Sequence, residues 1–72
     1  MKKEILIKFG SKVRKRRVEL GLSQEKLASR AGVHRTYIGM IERAEKNITL
    51  ENIEKIAKAL EIPLDKLMNL QK

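Results

Sequence analysis

Apolar residues recur at intervals of three and four along nearly the whole chain and never alternate as in a strand, so the pattern predicts helices throughout. Leu6, Phe9, Val13 and Leu20 mark the buried side of a first helix, from near Glu4 to Leu20. Gly21 is a natural stop, and Ser23 is placed to cap a second helix, from Gln24 to about Arg30, with Leu27, Ala28 and Ala31 as its apolar stripe. Gly32 is the residue best able to take positive φ where the chain must reverse. Val33 is apolar and His34 can serve as a cap, so a third helix should run from His34 or Arg35 to Arg43. After the polar connection Ala44-Glu45-Lys46-Asn47, Ile48 returns to the core and Thr49 caps a fourth helix from Leu50 to about Leu60. Its stripe is Leu50, Ile53, Ile56, Ala57 and Leu60. Ile62-Pro63 breaks the pattern, because the residue before proline avoids helix while proline itself suits a helix start. A short fifth helix carrying Leu64, Leu67 and Met68 follows, ending in a frayed Asn-Leu-Gln-Lys tail.

Two short helices joined by a glycine turn, from Gly21 to Arg43, form the layout that holds a helix in the major groove of DNA. On a wheel of roughly 100° per residue, His34, Ile38, Ile41 and Glu42 share the inward side of the third helix. Arg35, Thr36, Gly39, Met40 and Arg43 fall in an outward arc of about 140°. That arc suits base edges: arginine for guanine acceptors, threonine for a hydrogen bond or a thymine methyl, glycine for close approach. Arg and Thr on a surface helix are also ordinary, and the helix layout tips the balance.

Charge agrees with that direction. The net charge is +8, and residues 1–20 carry eight basic and two acidic groups, residues 21–47 five and three, and residues 48–72 four of each. A positive field over the first two-thirds favours a polyanion, whereas the neutral last third suits packing or self-association. The basic run Arg14, Lys15, Arg16, Arg17 lies inside a periodic helix and reads as a solvated, phosphate-facing surface. Arg17 also falls on the buried side, four residues past Val13 and three before Leu20, so its guanidinium needs a carboxylate. Glu42, four residues beyond Ile38, is the best candidate, and an Arg17–Glu42 ion pair would lock the first helix to the third. The competing role for Arg17 is a phosphate contact.

With 72 residues the chain is one domain, and a domain this small buries only about 60% of its unfolded surface, so a dimer would add stability. Phe9 and Tyr37 are the only aromatics, leaving the core to Leu, Ile, Val and Ala. Without cysteine, disulfide and thiol chemistry are excluded, and one histidine offers no zinc-ligand cluster. No phosphate-cradling glycine loop or inward carboxylate pair assembles a catalytic constellation, so neither an enzyme nor a cofactor is expected. No apolar run approaches the roughly 20 residues of a membrane span, and no secretory-signal pattern appears, which points to a cytoplasmic protein without a membrane partner.

The residues Gly21-Leu22-Ser23-Gln24-Glu25-Lys26-Leu27-Ala28, Ala31-Gly32-Val33, Tyr37-Ile38 and Ile41-Glu42-Arg43 resemble the helix-turn-helix of the phage repressor and Cro proteins, the xenobiotic response element family. Within it, His34-Arg35-Thr36-Tyr37-Ile38 and Asn47-Ile48-Thr49-Leu50 are most similar to the controller proteins of restriction-modification systems. The resemblance implies an all-α, single compact five-helix domain over 1–72, with the helix-turn-helix at about 23–43 and dimerisation helices at about 49–70. It implies a transcriptional regulator acting as a homodimer on a roughly palindromic double-stranded DNA operator, with RNA polymerase as a possible further partner. Arg35, Thr36, Gly39 and Met40 would face bases. Ser23, Gln24, His34, Tyr37, Arg43, Lys46 and Asn47 would lie near the DNA backbone or the operator centre. Two positions depart from the family: Ala44 stands where many members have glycine, and Gly39 offers no side chain for a contact that relatives make there.

Ile62, Leu64, Met68 and Leu70 are the candidate dimer contacts, because the last third has more apolar positions than one small core needs. The alternative is that Leu64, Leu67 and Met68 cap the monomer core. The alternative function is an antitoxin or adaptor of the same fold, whose main partner is a protein. RNA binding is poorly supported, since exposed aromatics for base stacking are nearly absent.

Overall fold

A computed structural model describes residues 3–70, and among them every regular element is helical. The helices are α1 (Glu4–Glu19), α2 (Gln24–Ala31), α3 (Arg35–Glu42), α4 (Leu50–Ala59) and α5 (Leu64–Leu67). Leu20, Arg43 and Leu60, read from the sequence as the last helical residues, are C-caps instead. Each still donates its N–H back into the helix, which explains the one-residue difference. Gln71 and Lys72, half of the frayed tail, lie outside the described residues.

Local chemistry sets the helix starts. The Ser23 hydroxyl accepts from the Lys26 N–H at 3.0 Å, and Thr49 Oγ1 accepts from the Asn52 N–H at 3.2 Å. Between α2 and α3, Gly32 takes φ 72° and ψ 33°, and the Val33 N–H closes on the Ala28 carbonyl at 3.0 Å. A side chain at residue 32 would meet no neighbour, so the requirement there is the left-handed backbone alone.

The core draws on every helix: Phe9 and Val13 from α1, Leu27 from α2, Ile38 and Ile41 from α3, Ile53 and Ile56 from α4 and Leu67 from α5. Leu50 was expected on the α4 stripe but is 79% exposed. It opens the helix at the edge of that stripe, and helical side chains lean toward the N-terminus, so it projects past the end of α4. Of the α5 positions, only Leu67 is fully buried. Leu64 and Met68 are 44% and 38% exposed, while Ile62 and Leu70 pack partly against the core.

Arg16 corrects the reading of the basic run as a solvated surface. Its Nε donates to the Leu60 carbonyl at 2.9 Å and its Nη2 to the Glu61 carbonyl at 3.1 Å. These carbonyls end α4 without helical partners, and a cation there satisfies them and complements the helix dipole. Arg30 reaches the same end of α4, with Nη1 3.2 Å from Glu61 Oε2. Two helices are thus fastened by charge to the C-terminus of a third.

Candidate nucleic-acid interface

The candidate interface lies on α2 and α3, and their alignment depends on a polar junction beneath them. Arg17 Nε donates to Glu42 Oε2 at 2.7 Å, and Arg17 Nη2 donates to Glu42 Oε1 at 3.0 Å. The remaining guanidinium nitrogen, Nη1, donates to the Leu22 carbonyl at 2.8 Å. Gln24 Nε2 completes the set by donating to Glu42 Oε1 at 3.0 Å. The two charged side chains are only 12% and 4% exposed, so this bidentate pair is well shielded from water. One ion pair therefore ties together α1, the turn before α2, the first residue of α2 and the last residue of α3.

Gly10 brings α1 close enough for this junction to form. A Cβ at residue 10 would overlap the Ile41 carbonyl oxygen and stand 3.1 Å from that of Glu42. Hydrophobic periodicity missed this residue, since glycine counts as neither apolar nor polar. The available signal was a glycine inside a helix with no turn to justify its cost of about 1 kcal/mol against alanine.

The outward side of α3 is less uniform than the wheel implies. Arg35 and Thr36 are exposed, and Met40 is partly exposed. Gly39, the other base-facing candidate, is buried: a Cβ there would lie 3.1 Å from Arg43 Nη1 and 3.5 Å from Gln24 Oε1. The wheel gives the direction of a position but not the neighbouring side chains that fold back over it. His34, placed on the inward side by the same wheel, is exposed. Its backbone is extended at φ −78° and ψ 144°, so helical angles do not apply to it, and Nδ1 accepts from the Thr36 N–H at 3.1 Å as a cap.

Around α3 stand the other candidate residues. Tyr37 is half-buried, and its hydroxyl accepts from Asn52 Nδ2 at 3.0 Å, an α3–α4 bridge that no sequence signal announced. Ser23 is exposed at the start of α2, and Gln24 lies partly buried beside it. Arg43, Lys46 and Asn47 are exposed along the connection after α3. Ala44 adopts φ 62° with its methyl group buried. Met68 and Leu70 lie far along the chain from these groups and line a shallow groove of about 190 Å³ with Ile5, Phe9, Ile48 and Ile53. Among the described residues no group of His, Cys, Asp or Glu could hold a metal ion, and no helix is long and apolar enough to cross a membrane.

Known proteins share this arrangement. A helix-turn-helix family model matches residues 13–67. The control protein C.BamHI of Bacillus amyloliquefaciens is 52% identical over 61 residues, 83% of this chain and 75% of that protein. The crystal structure of the restriction-modification controller protein C.AhdI from Aeromonas hydrophila superposes with a TM-score of 0.84 at 47% identity, covering 86% of this chain and 94% of that one. The controller protein C.Esp1396I, solved as a tetramer in complex with its natural 35 base-pair operator, gives a TM-score of 0.82 at 35% identity, covering 93% and 97% of the two chains. With the family model running from the middle of α1 to the end of α5 and a control protein matched at more than half of the aligned positions, this chain belongs to the Cro/C1-type helix-turn-helix family and is similar within it to the controller proteins of restriction-modification systems.

Proposed function

We propose that this chain is a sequence-specific double-stranded DNA-binding regulator of transcription, a restriction-modification controller protein that occupies a palindromic promoter operator as a homodimer. The observation that carries this reading is the pairing of an exposed Arg35 and Thr36 on α3 with the internally bonded junction that fixes the helix. A side chain can select a base only if its helix is held still, and here the holding is done by buried charge. The complex of the similar C.Esp1396I with operator DNA supports the same use of the fold.

In this reading Arg35 makes a bidentate contact to guanine while Thr36 and Met40 meet neighbouring base edges. Gln24 gives one amide hydrogen to Glu42 and keeps the other for a phosphate, next to the free N–H groups at the start of α2. Ser23, His34, Tyr37, Arg43, Lys46 and Asn47 lie along the backbone or at the operator centre. The protein acts in the cytoplasm, where promoter DNA lies, and regulates by occupancy together with RNA polymerase. No catalytic step is assigned to it, in keeping with relatives that are control proteins.

Two substitutions separate base reading from backbone binding. Arg35→Ala should cost about 1–3 kcal/mol at one base position and relax specificity there. Lys46→Ala should weaken operator and random duplex alike and lower the salt slope by about one unit. Equal losses on both DNAs for both variants, read by electrophoretic mobility shift, would refute the division of roles.

The homodimer uses the apolar groups left open around α5, with Leu64 and Met68 offering more free surface than Ile62 and Leu70. Sedimentation should show a dimer at micromolar protein, and a monomer at that concentration would sink the assignment.

A further inference from the structure

The end of α3 fixes two oppositely charged side chains against each other. The left-handed turn at Ala44 brings the Glu45 N–H back to the Met40 carbonyl at 2.8 Å, so Glu45 is anchored by its own backbone just past the helix. Its Oε1 lies 3.1 Å from Arg43 Nε. The guanidinium in turn lies back along the helix, where the missing side chain of Gly39 leaves it a seat. A β-carbon at residue 39 would crowd Nη1, so glycine at this position and the carboxylate at 45 together define where Arg43 rests. Both side chains remain about half exposed, which leaves the pair open to competition from outside.

The surroundings give this pair its meaning. Glu42, the other acidic residue between positions 31 and 50, is shielded from water and committed to Arg17. Glu45 is therefore the one exposed carboxylate along α3 and the connection that follows, among the described residues. It sits between Arg43 and Lys46, two cations of the surface assigned to the DNA backbone.

We propose that Glu45 is an intramolecular competitor for Arg43: it pairs with the guanidinium in the free protein, and a DNA phosphate must draw Arg43 away from it to gain the full contact. This rests on the reading that α3 faces duplex DNA. Carboxylate and phosphate accept from a guanidinium in the same way, so the exchange replaces one anion by another. The displaced carboxylate is then left near the phosphate with like charge. Arg43 consequently adds less affinity than an unpaired arginine would, and the attenuation is independent of base sequence.

Anisotropy of a labelled random-sequence duplex at low salt tests this with the full chain, Glu45→Gln, Arg43→Gln and the double variant. Glu45→Gln should tighten binding about two- to fivefold, the range set by exposed ion pairs, and Arg43→Gln should weaken it. In the Arg43→Gln background, Glu45→Gln should give a clearly smaller gain, the part that comes from like charge alone. An unchanged or weaker affinity for Glu45→Gln overturns the proposal. An equal gain in both backgrounds also overturns it, because Glu45 would then repel DNA generally instead of competing for Arg43. If neither the unaltered chain nor any variant binds the duplex, the regulator reading fails and takes this proposal with it.

Discussion

Arg17→Met should cost about 3–5 kcal/mol of stability, the range for a buried ion pair that loses one partner. Glu42 is 4% exposed and accepts two hydrogen bonds from Arg17 and one from Gln24. Without the guanidinium, the carboxylate keeps one amide donor in surroundings that water barely reaches, and the Leu22 carbonyl loses its side-chain donor as well. Set against a typical domain stability of about 5–15 kcal/mol, with a chain of this size near the lower end, the variant should be largely unfolded at growth temperature. Urea titration gives the direct measurement. The double variant Arg17→Met with Glu42→Leu should recover most of the loss, because an apolar pair of similar volume removes the stranded charge. Normal unfolding of Arg17→Met accompanied by weaker DNA binding would instead make Arg17 a phosphate contact.

Gly10→Ala should destabilise the fold by about 1–3 kcal/mol, the usual cost of overpacking, although the same change in an unobstructed helix would gain about 1 kcal/mol. The sign is decided by the overlap of the added carbon with the Ile41 carbonyl oxygen. That oxygen belongs to the backbone of α3, so relief requires a helix to move, and moving it stretches the Arg17–Glu42 pair. The loss should therefore extend to DNA affinity even at temperatures where the variant remains folded. A thermal melt showing Gly10→Ala to be more stable than the unaltered chain would mean that α1 and α3 are not in such close contact.

The contrast between these two positions shows what was legible in the sequence. Arg17 and Glu42 could be paired before any coordinates, because each falls on an apolar face and a buried charge demands its opposite. The five helices were legible for a related reason: Ser23, Gly32 and Thr49 punctuate periodic stripes with residues whose hydrogen bonding or backbone freedom suits them to that place. Gly10 escaped because its significance lies in the distance between two helices, which no pattern within one helix encodes. Arg16 escaped because its stem lies at the edge of the α1 stripe while its partners are backbone carbonyls, which carry no sequence identity. His34 was misplaced because helical angles do not hold before the helix start, and no angle on a wheel shows the Arg43 side chain folding back over Gly39. For the interface, the residue types on α3 could be read in advance, but not the internal contacts of Gln24 and Arg43 that limit what each has left to offer.

The bridge between Tyr37 and Asn52 gives the protein an optical property. Tyr37 is the only tyrosine and there is no tryptophan, so emission excited at the tyrosine band comes from one ring, seated where α3 meets α4. Its phenol is hydrogen-bonded across those two helices, so the light it emits carries information from a single known address. A spectroscopist studying this chain has a built-in reporter between the reading helix and the half of the molecule assigned to self-association, with no dye to attach and no second tyrosine or tryptophan to separate.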